Sequence, residues 1–164
     1  MLRVHPVLLA VILIGWVGFS QTIPATGESM SSHAKFDPIR DPAKDLREAV
    51  ARASQSGKRI LLDVGGEWCI WCHRLDSLFI KNPDLDKYLN DHFVVVKVNV
   101  SKQNKNESFL AQYPKVPGYP HLFVLDETGR LLQSQDTGVL ESGKGHDPEK
   151  VFAFLKKWAK PEFK

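Results

Sequence analysis

The sequence contains two cysteines, which lie three residues apart in the segment Trp68-Cys69-Ile70-Trp71-Cys72-His73. A structural disulfide normally joins distant segments, because a longer loop restricts the unfolded chain more. A ring as small as this one indicates thiol chemistry rather than stapling of the fold. The C-x-x-C pattern therefore predicts a pair that cycles between two thiols and one disulfide.

The residues around the pair predict where it lies in the fold. Residues 59–64 (RILLDV) read as a short buried strand, two glycines end it, and a helix begins near Cys69. The first turn of a helix offers free backbone N–H groups and the positive end of the helix dipole, and both stabilise a thiolate. Cys72 lies one turn further on, on the same face but deeper. We therefore expect Cys69 to attack and Cys72 to resolve the mixed disulfide.

Segments elsewhere alternate between helix and strand. A first helix has Asp41 as its cap and Pro42 as its first residue, and it ends at Gly57. After the cysteine helix, the patterns predict a second helical piece from Asn82, a strand over 93–100, a short helix over 105–112, and strands over 121–126 and 130–135. A last helix follows, and it directs four side chains to the core: Val151, Phe152, Leu155 and Trp158. The order predicts an α/β fold whose central mixed sheet is flanked by helices.

The first forty residues are set apart by their composition. Arg3 and His5 precede an apolar run over 7–19, which is short for a membrane span but has the length of a signal-peptide core. Residues 1–20 therefore favour a cleaved signal peptide, with an uncleaved N-terminal anchor as the alternative. Residues 21–40 are polar and read as a linker, which leaves 41–164 for the domain. We expect an exported, periplasmic protein.

Length and composition exclude some functional classes. With 164 residues, 43% of them hydrophobic and 25% charged, the chain suits one globular domain. Its net charge is only +3, and no basic run is interleaved with aromatic residues, which argues against nucleic-acid binding. We expect a monomer.

Several features, in their order and spacing, resemble the thioredoxin family over about residues 45–160. They are Asp63, six residues before Cys69; the W-C-x-x-C motif; Lys97 within Val96-Lys97-Val98-Asn99; and Gly118-Tyr119-Pro120. Gly138 falls where that family has a glycine close to its active site. The variant W-C-x-W-C-H is further similar to a subset of exported thioredoxin-like proteins. The resemblance implies the thioredoxin-like fold and thiol–disulfide oxidoreductase activity.

The resemblance also implies roles for individual residues. Asp63 resembles the family's buried acid, which accepts the proton of Cys72, and Lys97 resembles a strand lysine that tunes this acid. Gly118-Tyr119-Pro120 is similar to a loop with a cis proline that faces the cysteines and pairs with the substrate backbone. From the residues alone, Asp63 also fits an ordinary strand-end aspartate, Lys97 a solvated lysine and Pro120 a trans turn proline.

Other residues near the cysteines leave two interpretations open. Trp68 and Trp71 form an apolar rim for a partner chain or simply pack against the domain. His73 stabilises a thiolate or is the next exposed residue of the helix. The sequence departs from the family at Gly65, where thioredoxins carry a second tryptophan, and at Ile70-Trp71, which replaces Gly-Pro. The expected site consists of catalytic Cys69, Cys72, Asp63, Lys97 and Pro120, and substrate-binding Trp68, Trp71, Tyr119 and Gly138.

Two other functions would use the same residues. The segment from Cys69 to His73 fits the C-x-x-C-H signature of haem attachment. A second axial methionine would have to be Met1 or Met30, with His92, His121 or His146 as the alternative ligand. The two cysteines and a histidine would also suit a module that binds and delivers copper or zinc. We favour disulfide reduction without a cofactor or metal, with disulfide-containing exported proteins as substrates and a membrane electron carrier as donor.

Overall fold

The computed structural model describes residues 32–161 of the chain. The helices are α1 (Pro42–Ser56), α2 (Ile70–Lys81), α3 (Pro83–His92), α4 (Glu107–Leu110) and α5 (Pro148–Trp158). The strands are β1 (Arg59–Gly65), β2 (Phe93–Asn99), β3 (His121–Leu125), β4 (Leu131–Asp136), β5 (Glu141–Ser142) and β6 (Gly145–His146). Among these residues, no helix combines the length and apolar character that a membrane span requires. The predicted signal peptide over 1–20 lies outside the described residues.

Four strands form one mixed sheet in the order β2-β1-β3-β4. β1 and β2 run parallel, with Asp63 opposite Lys97, while β3 is antiparallel to β1 and β4 is antiparallel to β3. A parallel pair needs a crossover connection, and α2 with α3 supplies it. β5 and β6 form a separate hairpin after β4. The predicted α/β fold with a mixed sheet flanked by helices is confirmed.

Side chains that alternate along the strands divide the core into two layers. Ile60, Leu62 and Val64 of β1 belong to the layer that includes alanines of α1. Leu61 belongs to the opposite layer, which includes apolar residues of α2, α3 and α5. Because Asp63 lies two residues after Leu61, it points to the side of the sheet that carries α2.

Aspartates cap the N-termini of two helices, and the ends of α1 are those predicted. Asp41 caps α1 with its side chain, Pro42 is the first helical residue, and Gly57 follows the helix at φ 71°. This left-handed conformation favours glycine, which has no Cβ to clash with the backbone. Asp147 caps α5 in the same way as Asp41 caps α1.

The last helix buries a different set of side chains from the predicted one. Val151 and Leu155 are buried as predicted, and Phe154 is buried with them. Phe152 and Trp158 are only partly buried against the edge of this core. The Phe152 ring lies edge-on to Tyr88 of α3, with ring centroids 5.0 Å apart, so it packs on a neighbouring helix.

Residues 32–40 pack against the domain, although the sequence favoured a linker over 21–40. Ser32 and Phe36 are both buried. Ser32 Oγ donates a hydrogen bond to Asp86 Oδ1 at 2.9 Å, and the Asn104 side chain donates one to the Pro38 carbonyl at 3.0 Å. The polar composition concealed this packing, because one buried aromatic residue and a few hydrogen bonds hold the segment.

Candidate active site

Cys69 and Cys72 form a disulfide at the start of α2, with their Cα atoms 5.3 Å apart. Cys69 is the N-cap of the helix, and its Sγ accepts a hydrogen bond from the Cys72 N–H at 3.1 Å. This is the predicted position, where free N–H groups and the helix dipole favour a thiolate. Cys69 is 4% and Cys72 1% exposed, so both cysteines are buried in the disulfide form and Cys69 is slightly the more exposed.

Gly65 leaves room beside the disulfide. A Cβ at this position would lie 2.5 Å from Cys72 Sγ and 3.0 Å from Cζ of Phe36. A larger residue would therefore have to displace one of these neighbours. The glycine that departs from the thioredoxin pattern is thus matched by an aromatic ring from the segment before α1.

A buried cluster of charges lies on the α2 side of the sheet. Lys97 Nζ is 2.7 Å from Asp63 Oδ2 and 2.5 Å from Asp76 Oδ1. The Lys97 and Asp63 side chains are only 3% and 7% exposed, so Lys97 is not a solvated strand lysine. The second carboxylate oxygen of Asp63, Oδ1, is buried without a hydrogen-bond partner among the described residues.

Asp76 is a member of this cluster that sequence reasoning missed. It follows Cys72 by four residues and therefore lies on the same face of α2, which is the signal that would have identified it. Burial raises the pKa of Asp76, and the charge of Asp63 adds to the rise against the opposing effect of Lys97. Burial by itself would lower the pKa of Lys97, but the two carboxylates outweigh it and raise this pKa above its ordinary value.

The loop before β3 reaches the cysteines through Tyr119. The Tyr119–Pro120 peptide bond is cis. Tyr119 packs against the apolar cluster that contains both cysteines, and the buried Pro120 accepts a hydrogen bond at its carbonyl from Thr137 Oγ1 at 2.7 Å. Gly138 lies in the 3₁₀ turn Thr137–Leu140, where its N–H donates to the Asp136 side chain.

The two tryptophans of the motif have different surroundings. Trp68 is 61% exposed, although its Nε1 donates to the Val100 carbonyl at 2.6 Å and its ring lies edge-on to Tyr119 at 5.6 Å. These three residues line a groove of ≈ 640 Å³. Trp71 is partly buried, with the Arg74 guanidinium 4.4 Å from its ring centroid. Trp68 therefore leaves most of its apolar surface exposed, while Trp71 packs partly against the domain.

Two histidines also lie close to the motif. His73 Nε2 donates to the Glu67 carbonyl at 2.8 Å, which ties α2 to the residues before it. His146 of β6 is buried edge-on to Trp71 at 5.7 Å, and neither ring nitrogen has a hydrogen-bond partner in the described part of the chain. Burial lowers the pKa of His146, against the opposing charge of Asp63. No motif marked His146, because a distant hairpin brings it to α2.

A haem site would need the same cysteines and His73, and a metal site would need the cysteines and a histidine. Here the two sulfurs are bonded to each other, and His73 is bonded to Glu67. Within residues 32–161, no group of three or more His, Cys, Asp or Glu side chains is placed to hold a metal ion. The cysteines and His73 would have to change their partners to bind either group.

Sequence comparison identifies the relatives of this chain. A family model described as thioredoxin-like matches residues 41–127. The disulfide bond reductase DsbH of Chlamydia pneumoniae is 26% identical over 117 residues, which cover 66% of this chain and 70% of that protein. The thiol:disulfide interchange protein DsbD of Citrobacter koseri is 30% identical over 105 residues, which cover 64% of this chain but only 18% of that protein.

Structural comparison agrees with the sequence matches. A solved structure described as a disulphide isomerase from Xylella fastidiosa superposes with a TM-score of 0.63 at 24% identity, and the match covers 74% of this chain and 94% of that chain. This likeness shows the shared fold. The family model spans more than half of the sequence and includes the cysteine pair. The chain therefore belongs to the thioredoxin-like family and is a thiol–disulfide oxidoreductase.

Proposed function

We propose that this protein reduces disulfide bonds of exported proteins, with Cys69 and Cys72 as its redox pair. The observation that carries the proposal is a cysteine pair at the N-terminus of α2 on the side of the sheet that holds the buried Asp63–Lys97 pair. The names of two similar proteins, a disulfide bond reductase and a thiol:disulfide interchange protein, support the reaction class. The buried acid resembles that of reducing thioredoxins, which favours reduction over oxidation.

The reaction consists of two thiol–disulfide exchanges. The Cys69 thiolate attacks one sulfur of the substrate disulfide, forms a mixed disulfide and releases the other substrate sulfur as a thiolate. Cys72 then gives its proton to Asp63 and attacks Cys69 Sγ. The Cys69–Cys72 bond forms, the bond to substrate breaks, and the second substrate thiolate leaves. Two electrons pass to the substrate, and the protein is left in the disulfide form.

The surroundings of Asp63 support its role as proton acceptor. Lys97 binds Oδ2 and leaves Oδ1 without a partner among the described residues, so one carboxylate oxygen is available to a proton. Lys97 is held in turn by Asp76, which keeps the ammonium group in place. Lys97 thus orients the acid, and Asp76 orients Lys97.

A groove next to Trp68 of the cysteine motif and to Tyr119 supports a role in binding an extended substrate segment. Trp68 and Tyr119 supply its apolar wall. The resemblance to thioredoxins implies that the loop with Pro120 pairs with the substrate backbone. Trp71 packs against the cysteine cluster and does not line this groove. Gly138 does not line this groove: its N–H is bonded to Asp136, and a side chain at this position would meet Asp136.

We also propose that the protein is exported to the periplasm and that a membrane electron carrier reduces its Cys69–Cys72 disulfide after each turnover. The apolar run over 7–19 supports a cleaved signal peptide. The match to part of DsbD supports electron supply from the membrane, as does the oxidised state in which each turnover leaves the protein. N-terminal sequencing of the exported protein should read from near Gln21, whereas an intact N-terminus would establish the anchor.

A redox titration against glutathione tests the direction of the reaction. We expect a reduction potential nearer to the value of about −270 mV found for thioredoxin than to the value of about −120 mV found for strong oxidants. The reduced protein should also cleave the disulfides of insulin. A Cys69→Ser/Cys72→Ser double variant should show no reduction potential in the titration and should not cleave insulin. A potential near the oxidising limit would show that the protein forms disulfides instead.

A further inference from the structure

Phe36 lies outside the helices and strands and packs against the redox pair. It is 2% exposed and forms one apolar cluster with Cys69 and Cys72. It belongs to the segment before α1, 33 residues before Cys69 in the sequence. The chain therefore brings an aromatic ring from a distant segment to the cysteines.

The ring of Phe36 contacts both parts of the chemistry. Its Cζ and the Cys72 sulfur both lie within 3.0 Å of the point where a Gly65 side chain would begin, so ring and sulfur are packed side by side. Lys97 Nζ lies 4.7 Å from the ring centroid, and this ammonium group binds Asp63. Phe36 thus covers the resolving cysteine and the pair that receives its proton.

Hydrogen bonds hold the segment in this position. The Phe36 N–H donates to Glu67 Oε1 at 2.9 Å, and Glu67 lies two residues before Cys69. Ser32 on one side of Phe36 is bonded to α3, and the Pro38 carbonyl on the other side accepts from Asn104. The exposed Glu67 therefore ties the segment that carries Phe36 to the cysteine motif.

We propose that Phe36 is a positioning residue for the second exchange, keeping water away from Cys72 and from the Asp63–Lys97 pair. This inference rests on the proposed function. A buried thiol is disfavoured as a thiolate, because it loses solvation by water. With Phe36 in place, Cys72 keeps its proton until the mixed disulfide forms, and Asp63 is the group that receives it. Without the ring, water reaches both groups and replaces Asp63 as acceptor.

The test is a double-mutant cycle on the release step. Reduced protein is mixed with oxidised glutathione, and the release of glutathione from Cys69 is followed against pH for the Phe36→Ala, Asp63→Asn and combined variants. Asp63→Asn should slow release about a hundredfold when Phe36 is present and about tenfold or less when it is absent. Equal effects of Asp63→Asn in both backgrounds would overturn the proposal.

A second measurement does not depend on turnover. In reduced Cys69→Ser protein, the rate at which iodoacetamide alkylates Cys72 at pH 7 should rise about tenfold after Phe36→Ala, which corresponds to about one pH unit in its titration. Phe36→Leu should restore slow alkylation. Phe93→Ala is the matched control, because Phe93 is equally buried but belongs to a core cluster without cysteines. The same rise in the Phe93 variant, or no rise in the Phe36 variant, would contradict the role.

Two further comparisons distinguish failure of the proposed role of Phe36 from failure of the proposed function and from misfolding of a variant. Glu67→Ala removes the tie at an exposed position, so it should raise Cys72 alkylation even if Phe36→Ala does not fold. An unchanged rate of Cys72 alkylation would contradict the proposal that Phe36 shields Cys72 from water. If wild-type protein forms no mixed disulfide with glutathione, the proposed function fails. If wild-type protein exchanges normally but Phe36→Ala behaves like Phe93→Ala, only the role of Phe36 fails.

Discussion

Replacing Cys69 with serine should abolish disulfide exchange. Replacing Cys72 with serine should stop the reaction after the first exchange, with partner chains covalently attached to Cys69. Cys69 lies at the start of α2 and accepts the Cys72 N–H at 3.1 Å, so its thiolate is the stabilised one. Cys72 is 1% exposed and lies inside the helix. Both variants should lose catalytic turnover by about three orders of magnitude or more, because each removes one step of a coupled pair.

The difference between the two variants is read on gels and by alkylation. Non-reducing electrophoresis of the Cys72→Ser protein mixed with disulfide-containing proteins should show stable mixed disulfides, and dithiothreitol should reduce them. The Cys69→Ser protein should show almost none, and its Cys72 should react with iodoacetamide more slowly than the Cys69 of the other variant at neutral pH. Equal trapping by both variants, or faster reaction of Cys72, would mean that the roles of the two cysteines are wrongly assigned.

Replacing Lys97 with methionine should cost about 3–5 kcal/mol of unfolding free energy, because it leaves two carboxylates in the interior without a cation. Lys97 Nζ is bound to Asp63 and Asp76, and its side chain is 3% exposed. Adding Asp63→Asn to the variant should recover part of the loss, since it removes one of the uncompensated charges. Urea unfolding at pH 7 measures these differences.

The matched control and the pH dependence make this prediction specific. Lys87→Met removes an ion pair with Asp91 that is exposed on both sides, so it should change stability little. The raised pKa of Lys97 means that its contribution is fully present at neutral pH and is lost only as pH rises above about 10.5. The Lys97→Met protein should lack this alkaline loss, and its deficit should shrink in acid as the carboxylates take up protons. Equal losses in the two lysine variants would contradict the buried cluster.

The chemistry of the motif was readable from the sequence because it depends on near neighbours. Two cysteines three residues apart, after a strand and at the start of a helix, meet within a single helical turn. Caps such as Asp41 and glycines such as Gly57 act locally, so they marked the ends of elements correctly. The order of these elements determined the parallel pair and the antiparallel hairpin.

The face of the sheet on which a strand residue lies could also be partly predicted from the sequence, because side chains alternate along a strand. Asp63 and Lys97 each lie on a strand that the pattern identified, and the parallel register sets them opposite each other. The resemblance to thioredoxins suggested that they are paired. Whether Lys97 was solvated depended on what covers it, and no local pattern contains that information.

Only the tertiary structure decided what surrounds the pair. Asp76 joins the charge cluster because α2 crosses the sheet above Lys97, and His146 reaches Trp71 because a hairpin folds back onto α2. Phe36 lies in a polar segment whose composition suggests a linker, yet its ring packs beside the Cys72 sulfur. The sequence by itself located the cysteine pair at the start of a helix, since that depends on residue type and short spacing. The fold decided which of them are shielded from water, because burial depends on contacts between segments far apart in the chain.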